Sequence, residues 1–343
     1  MTTASRPDIA MMENQMSRRR FLGMALLGAA TASVPGVLGS RSSANAAGRT
    51  TDTVRLTWGF GGLPLIAKER GEFVRLLAKD NIKVEWLGPF PNHAPTVQAV
   101  VGGSADFSFG GSTTPALAAI IAGSPLVFAQ FAVVSPRTTA IIAKDSSGIN
   151  TVADLVGKSV AVNRSGVAEF LLVAALEKFQ VDRSKVRVVY LNPPEAAPAF
   201  GSGQVDAWAM WSPGVDIARS QYKGHDIFVE GRDLDFQIDF NSWLIRRSFA
   251  EQNRDLVAAV NAAFAAEADW VNANTKEAEI IAQRQGKYDD EILNTFIRLR
   301  RQYRIRRTDD QAFIAELQRA ADWLAARKVL PQAVRVQDYV ATV

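Results

Sequence analysis

The apolar positions of the chain switch repeatedly between a period of two and a period near three and a half. Val54-Arg55-Leu56-Thr57-Trp58 alternates as a half-buried strand does and runs into Gly59-Phe60-Gly61-Gly62. Residues 65–79 take the helical period, 82–87 return to a strand, and 95–101 predict a short helix. A strand over 105–109 leads into Gly110-Gly111-Ser112-Thr113-Thr114-Pro115, which opens a helix over 115–122, and 126–134 is again strand-like. Such alternation predicts an α/β fold, with a largely parallel sheet flanked by helices.

A second unit starts near Asn150. It predicts a short helix over 151–155, strands over 159–162, 186–191 and 205–210, and helices over 167–179 and to Phe200 after Asn192-Pro193-Pro194-Glu195. Residues 98–107 (QAVVGGSADF) and 198–207 (PAFGSGQVDA) share one pattern, in which a helix ends at Gly and a strand follows a small residue and Asp. Two similar lobes then place their strand-end loops on either side of one cleft. Residues 240–245 read as a strand returning from the second lobe to pair with 138–144, which gives two crossovers and a hinge. From residue 248 onward the pattern is nearly all helical, over 248–274, 276–285, 289–304 and 309–326.

Composition narrows the chemistry. The chain of 343 residues has no Cys and only two His, His93 and His225, a poor inventory for thiol, metal or acid–base catalysis. Of the formal charge of +4, +3 lies in residues 1–47, so the remainder is nearly neutral and nucleic acid is not the expected partner. Those first residues carry SRRRFLG, then a modestly apolar stretch rich in Gly and Ala, then Ser43-Ala44-Asn45-Ala46-Ala47. The Arg pair followed by Phe-Leu resembles a twin-arginine export signal, with cleavage expected near Ala46 or Ala47.

Two segments are distinctive: TVADLVGKSVAV with YLNPPEAAPAFGSGQVDAWAMWSP, and DFSFGGSTTPALAAIIAGSPLVF. On these the mature chain resembles the solute-binding proteins of bacterial ABC importers, in the group serving aliphatic sulfonates, taurine and nitrate. The resemblance implies a type II periplasmic-binding fold: two α/β lobes with a ligand cleft between them and a helical C-terminal part. It places lobe I at residues 48–140 plus 243–343, and lobe II at 141–242. It implies a monomeric periplasmic protein that needs no cofactor, captures a small anionic organic solute and delivers it to a permease of the inner membrane.

Ligand-binding candidates follow from the loops. Gly111, Ser112, Thr113 and Thr114 precede a Pro-started helix and offer hydroxyls and free N–H groups to an anion; Asn163, Arg164, Ser165 and Gly166 do the same in the second unit. Helix capping explains the same residues equally well, and the resemblance tilts both loops toward the ligand. Phe60, Gly61 and Gly62 form a third loop, where Gly permits close backbone approach. Trp211 and Ser212 stand at a strand end beside the cleft, whereas Trp208 and Trp243 read equally as core. Arg164 and Arg137 are candidate partners of an acidic headgroup. Glu195, three residues after Asn192, reads as a capping box. The basic run Arg298, Arg300, Arg301, Arg304, Arg306 and Arg307 reads as a solvated helix face. Relatives often carry an acid where this chain has Ser112 and an Asp where it has Ser212, so the expected solute is an alkyl or aryl sulfonate without a free amine. Nitrate or a pyrimidine precursor on the same scaffold is the alternative, and an enzyme of this fold is the alternative of another class; His93 is its one candidate base.

Overall fold

The computed structural model describes residues 49–343, and the segment expected to be an export signal, with its expected cleavage site, lies outside them. β1 (Thr53–Gly59) pairs in parallel with β2 (Lys83–Phe90). The predicted strand over 105–109 contributes only one bridge, Leu56 to Phe107, on the far side of β1. β3 (Gly111–Ser112), β4 (Leu126–Ser135), β10 (Asn241–Arg246) and β11 (Gln302–Arg306) form a four-stranded sheet in the order β11-β4-β10-β3. All of its pairings are antiparallel. β5 (Ala140–Lys144), β6 (Ser159–Val162), β7 (Arg187–Tyr190), β8 (Ala207–Met210) and β9 (Gly224–Val229) form a five-stranded sheet in the order β7-β6-β8-β5-β9. Here β6 runs parallel to β7 and β8, and β5 runs antiparallel to β8 and β9.

The four-stranded sheet is therefore antiparallel and the five-stranded one mixed, rather than largely parallel. The predicted pairing of 240–245 with 138–144 is also replaced. β10 hydrogen-bonds to β3 and β4, while β5 lies in the other sheet. The chain does pass between the four- and five-stranded sheets twice, after β4 and again between β9 and β10.

Local sequence explains most elements. The single helix predicted over 65–79 is two, Leu63–Arg70 and Glu72–Ala78, because Gly71 adopts a left-handed φ of 72° and its N–H closes on Ala67 O. The helix Val167–Lys178 is buried continuously from Ala168 to Leu176, as its uniformly apolar sequence requires. The repeated ten-residue pattern is one structural device used twice. Gly103 and Gly203 take φ of 79° and 80°. Three residues later Asp106 accepts Arg55 N–H at 2.8 Å and Asp206 accepts Ser159 N–H at 2.7 Å. Each Asp returns its own N–H to the same residue's carbonyl, at 2.8 and 3.0 Å. Each Asp so fixes the end of its strand beside the start of the neighbouring one.

The C-terminal region departs from all-helix. The helix Asp290–Leu299 stops at Arg300, which has a left-handed φ of 46°, and the chain continues as β11 on the edge of β4. The last long helix, Gln311–Ala326, then buries Phe313 against Phe131 and Phe240, with ring centroids 5.0 and 5.1 Å apart.

Candidate functional site

β1, β2, β6, β7 and β8 end in loops that face one cavity of about 430 Å³, at the carboxyl ends of parallel strands where α/β sheets place ligands. Phe60, Gly61 and Gly62 supply the first loop. Phe60 is 49% exposed, and its ring is free to cover an apolar group. Gly62 needs glycine for its φ of 79° at the start of Leu63–Arg70, whereas Gly61 faces open space. From β8 come Trp211 and Ser212, the latter hydroxyl-bonded to Thr138 Oγ1 at 3.1 Å. Trp208 also reaches the cavity; Trp243 does not, and packs on Phe264.

The turn at 111–114 is not the open anion cradle expected of it. Gly111 and Ser112 line the cavity, but Thr113 and Thr114 are fully buried. Asp239, from the segment returning to β10, fills the start of the helix Thr113–Ile121. Its Oδ1 accepts from Ser112 Oγ at 2.7 Å, Thr113 Oγ1 at 3.0 Å, Thr114 N at 3.2 Å and Thr114 Oγ1 at 3.2 Å. The protein's own carboxylate thus takes the place that helix N-termini offer to anions. Burial raises the Asp239 carboxyl above the ordinary Asp value even though these donors favour its charge.

His93 lies beneath the same turn, 4% exposed. Ser112 O can only accept, so Nδ1 carries the proton across 2.7 Å. Nε2 then accepts from Ser108 Oγ at 2.9 Å, and that oxygen receives Leu244 N–H at 2.8 Å. Burial pushes His93 down to about 4, so the ring is neutral at physiological pH. Gly111 is needed here for packing, since a Cβ would sit 2.5 Å from the His93 ring.

In the second unit, Asn163 and Arg164 line the cavity, whereas Ser165 and Gly166 do not. Ser165 N–H bonds Glu169 Oε2 at 2.7 Å as a helix cap, and Gly166 leaves room for the Asn163 amide. Asn163 Oδ1 is buried without a hydrogen-bond partner. Arg164 is exposed, its guanidinium carbon 3.7 Å from the centre of the Tyr190 ring. Among the described residues no carboxylate lies within ion-pair distance of it. Arg137 lines the cavity too, but its guanidinium is committed. It donates to Phe236 O at 2.5 Å and Leu234 O at 2.9 Å and lies 3.5 Å from Glu230, so it joins the two crossover segments.

Two charged residues of the cavity, Asp239 and Glu230, escaped sequence reading, and a third, Arg301, was placed by it on a solvated helix face. Burial raises Glu230 to about 7 despite Arg137. Arg301, read from the basic run as solvated, is held by Glu279 through Nε at 2.9 Å and Nη2 at 2.6 Å and covers the Phe296 ring. The only local sign of its role was its place between Arg300, which ends the helix, and the alternating Gln302–Arg306. Glu195 forms the capping box with Asn192 that its spacing predicts. No cluster of three or more metal-ligating side chains occurs among the described residues.

Residues 64–278 match the family model described as NMT1/THI5 like. The chain is 29% identical over 245 residues to a protein of Escherichia coli (strain K12) named as an aliphatic sulfonates-binding protein, covering 71% of this chain and 75% of that one. It is 27% identical over 277 residues to a protein of the same name in Bacillus subtilis (strain 168), covering 80% and 81%. Its fold matches the alkanesulfonate-binding protein SsuA of Xanthomonas axonopodis pv. citri bound to MOPS, with a TM-score of 0.75, 23% identity, and coverage of 84% and 98%.

Proposed function

The chain belongs to the NMT1/THI5-like family, and from that premise we propose that it is the extracytoplasmic solute-binding component of an ABC importer, taking a small organosulfonate. The observation that carries this reading is the cavity itself. It is large enough for an organic solute and far larger than a nitrate ion needs, it has aromatic walls at Phe60 and Trp211, and it holds one arginine without a carboxylate partner, Arg164. The names of the relatives support the ligand class. A sulfonate is accepted by Arg164 and the N–H groups at the start of Val167–Lys178, while its organic part lies against the aromatic side chains.

In this reading the lobes change at residues 136–139 and again between 230 and 240, and closure about those crossovers buries the solute before delivery to the permease. The protein works in the periplasm, and its role is binding rather than catalysis. His93 is spent on two structural hydrogen bonds and is no free base. Asp239 brings a carboxylate back to Ser112, so the Ser at that position does not by itself exclude an amine on the solute.

Calorimetric titration of the mature chain with a series of alkane- and arylsulfonates, and with nitrate, tests the proposal. Sulfonates are expected to bind and to raise the melting temperature by linkage, with nitrate silent. Arg164→Gln is expected to weaken sulfonate binding by ~10-fold or more while leaving the ligand-free melting temperature unchanged, since the loss is that of a charge-assisted bond. Binding of nitrate alone, or an unaffected Arg164→Gln, contradicts it.

A further inference from the structure

We propose that Tyr190 is a positioning residue for the anion end of the ligand: its ring aims Arg164 into the cavity, while the buried carboxylate of Glu169 ties ring and loop together behind it. The inference rests on the organosulfonate reading, in which Arg164 meets the sulfonate, and says what readies that arginine to do so.

Strand register supplies the neighbourhood. β6 and β7 run in parallel with Val162 opposite Tyr190, so the loop leaving β6 passes the ring at the end of β7. Arg164, two residues after Val162, lays its guanidinium carbon 3.7 Å from the centre of that ring. Arg164 lines the cavity and neither Tyr190 nor Glu169 does, so the ring backs the guanidinium rather than competing with it for the ligand. Among the described residues the Arg164 side chain donates no hydrogen bond. The ring face is therefore what holds it.

Glu169, 6% exposed, joins three separate pieces of chain. Its Oε1 accepts from Tyr190 OH at 2.7 Å and Arg183 Nη2 at 2.9 Å, and its Oε2 accepts Ser165 N–H at 2.7 Å. Ser165 has a left-handed φ of 51°, a region that residues other than Gly seldom occupy, and the bond to Glu169 fixes it there. Burial and the bond to Glu169 raise the Tyr190 phenol, which stays protonated and donating. Arg183 supplies the countercharge of Glu169, so this carboxylate does not need Arg164.

The consequence is a prepared cation. A guanidinium offers its N–H groups in its own plane, and a ring on one face leaves that donor edge open to a sulfonate. A long side chain already held on an aromatic face loses less rotamer freedom when the ligand arrives. The same loop without the ring would present Arg164 as a solvated surface arginine.

A double-mutant cycle tests this, with butane-1-sulfonate titrated into residues 48–343. Tyr190→Leu is expected to weaken binding by ~5-fold or more, the order of a partly desolvated cation–aromatic contact. Tyr190→Phe keeps the face and is expected to stay within ~2-fold of wild type. In an Arg164→Gln background, Tyr190→Leu is expected to have no further effect, because the group it positions is gone. Full binding by Tyr190→Leu overturns the inference, as does an equal loss in both backgrounds, which marks a merely structural role. A Tyr190→Phe variant as weak as Tyr190→Leu assigns the effect to the hydroxyl and overturns it too. The wild-type complex needs no variant: a crystal structure is expected to keep Arg164 on the Tyr190 ring with the sulfonate at its edge, and an Arg164 swung off the ring to reach the sulfonate overturns the inference. These outcomes leave the sulfonate reading intact. If butane-1-sulfonate does not bind, or if Arg164→Gln binds it as tightly as wild type, that reading fails and the inference falls with it.

Discussion

His93 and Glu230 show how individual side chains were hidden from sequence. His93 looks like a loop residue between Asn92 and Ala94, yet it is buried because Gly111 folds over it. Asp239 reaches Ser112 only because the chain crosses between sheets, and local periodicity carries no record of that. Both titrating groups have consequences for stability, with opposite signs. His93 is lowered to about 4 from an ordinary 6.5, so the unfolded chain takes up its proton first as pH falls. The stability from neutral His93 is present above pH 6.5 and lost as pH falls toward 4, up to about 3 kcal/mol. Glu230 is raised to about 7 from 4.5, so the folded chain holds its proton longer, and stability falls as pH rises from 4.5 through 7. The two slopes offset one another in the wild type. Urea denaturation across pH 4–8 is expected to show that, relative to wild type, His93→Gln loses stability as pH rises and Glu230→Gln gains it. Parallel curves for all three proteins would contradict these assignments.

At the scale of elements, sequence periodicity located the strands β1, β2, β4, β6 and β8 and the helices between them, because each has one apolar face or is apolar throughout. It misread two places for physical reasons. Residues 65–79 keep a helical period across Gly71, so only the left-handed φ of that residue reveals the break. Residues 289–304 also keep a helical period, but Arg300 ends the helix and the rest pairs with β4, which brings Arg301 into the cavity. Of the loops expected to meet the ligand, Phe60–Gly62, Asn163–Arg164 and Trp211–Ser212 line the cavity. Thr113, Thr114, Ser165 and Gly166 serve caps and packing instead. Glycine roles separate in the same way. At Gly203 only the φ of 80° is at stake and a Cβ meets nothing, so Gly203→Ala should cost about 1 kcal/mol. At Gly111 a Cβ would lie 2.5 Å from His93, so Gly111→Ala should cost about 2–3 kcal/mol, the order of an overpacked core. Midpoints of chemical denaturation check the ranking; a Gly111→Ala variant no less stable than Gly203→Ala would contradict it.

For the molecule as a whole, the doubled pattern seen 100 residues apart in sequence is a doubled structure. Gly103 and Gly203, and Asp106 and Asp206, play matching parts beside β1 and β6. Asn92 and Asn192, at the ends of β2 and β7, are bonded to each other at 3.1 Å and join the two units beside the cavity. Arg137 joins the crossovers from the other side. What the whole fold adds is convergence: loops from both units meet at one cavity, which also draws Glu230 and Asp239 from the crossover between β9 and β10. A crystal structure of residues 48–343 with butane-1-sulfonate tests that convergence and the sulfonate proposal most directly. Sulfonate oxygens are expected within hydrogen-bonding distance of the Arg164 guanidinium, with Asp239 still bonded to Ser112 and Thr114. A sulfonate seated on the Ser112–Thr114 turn with Asp239 displaced would contradict it.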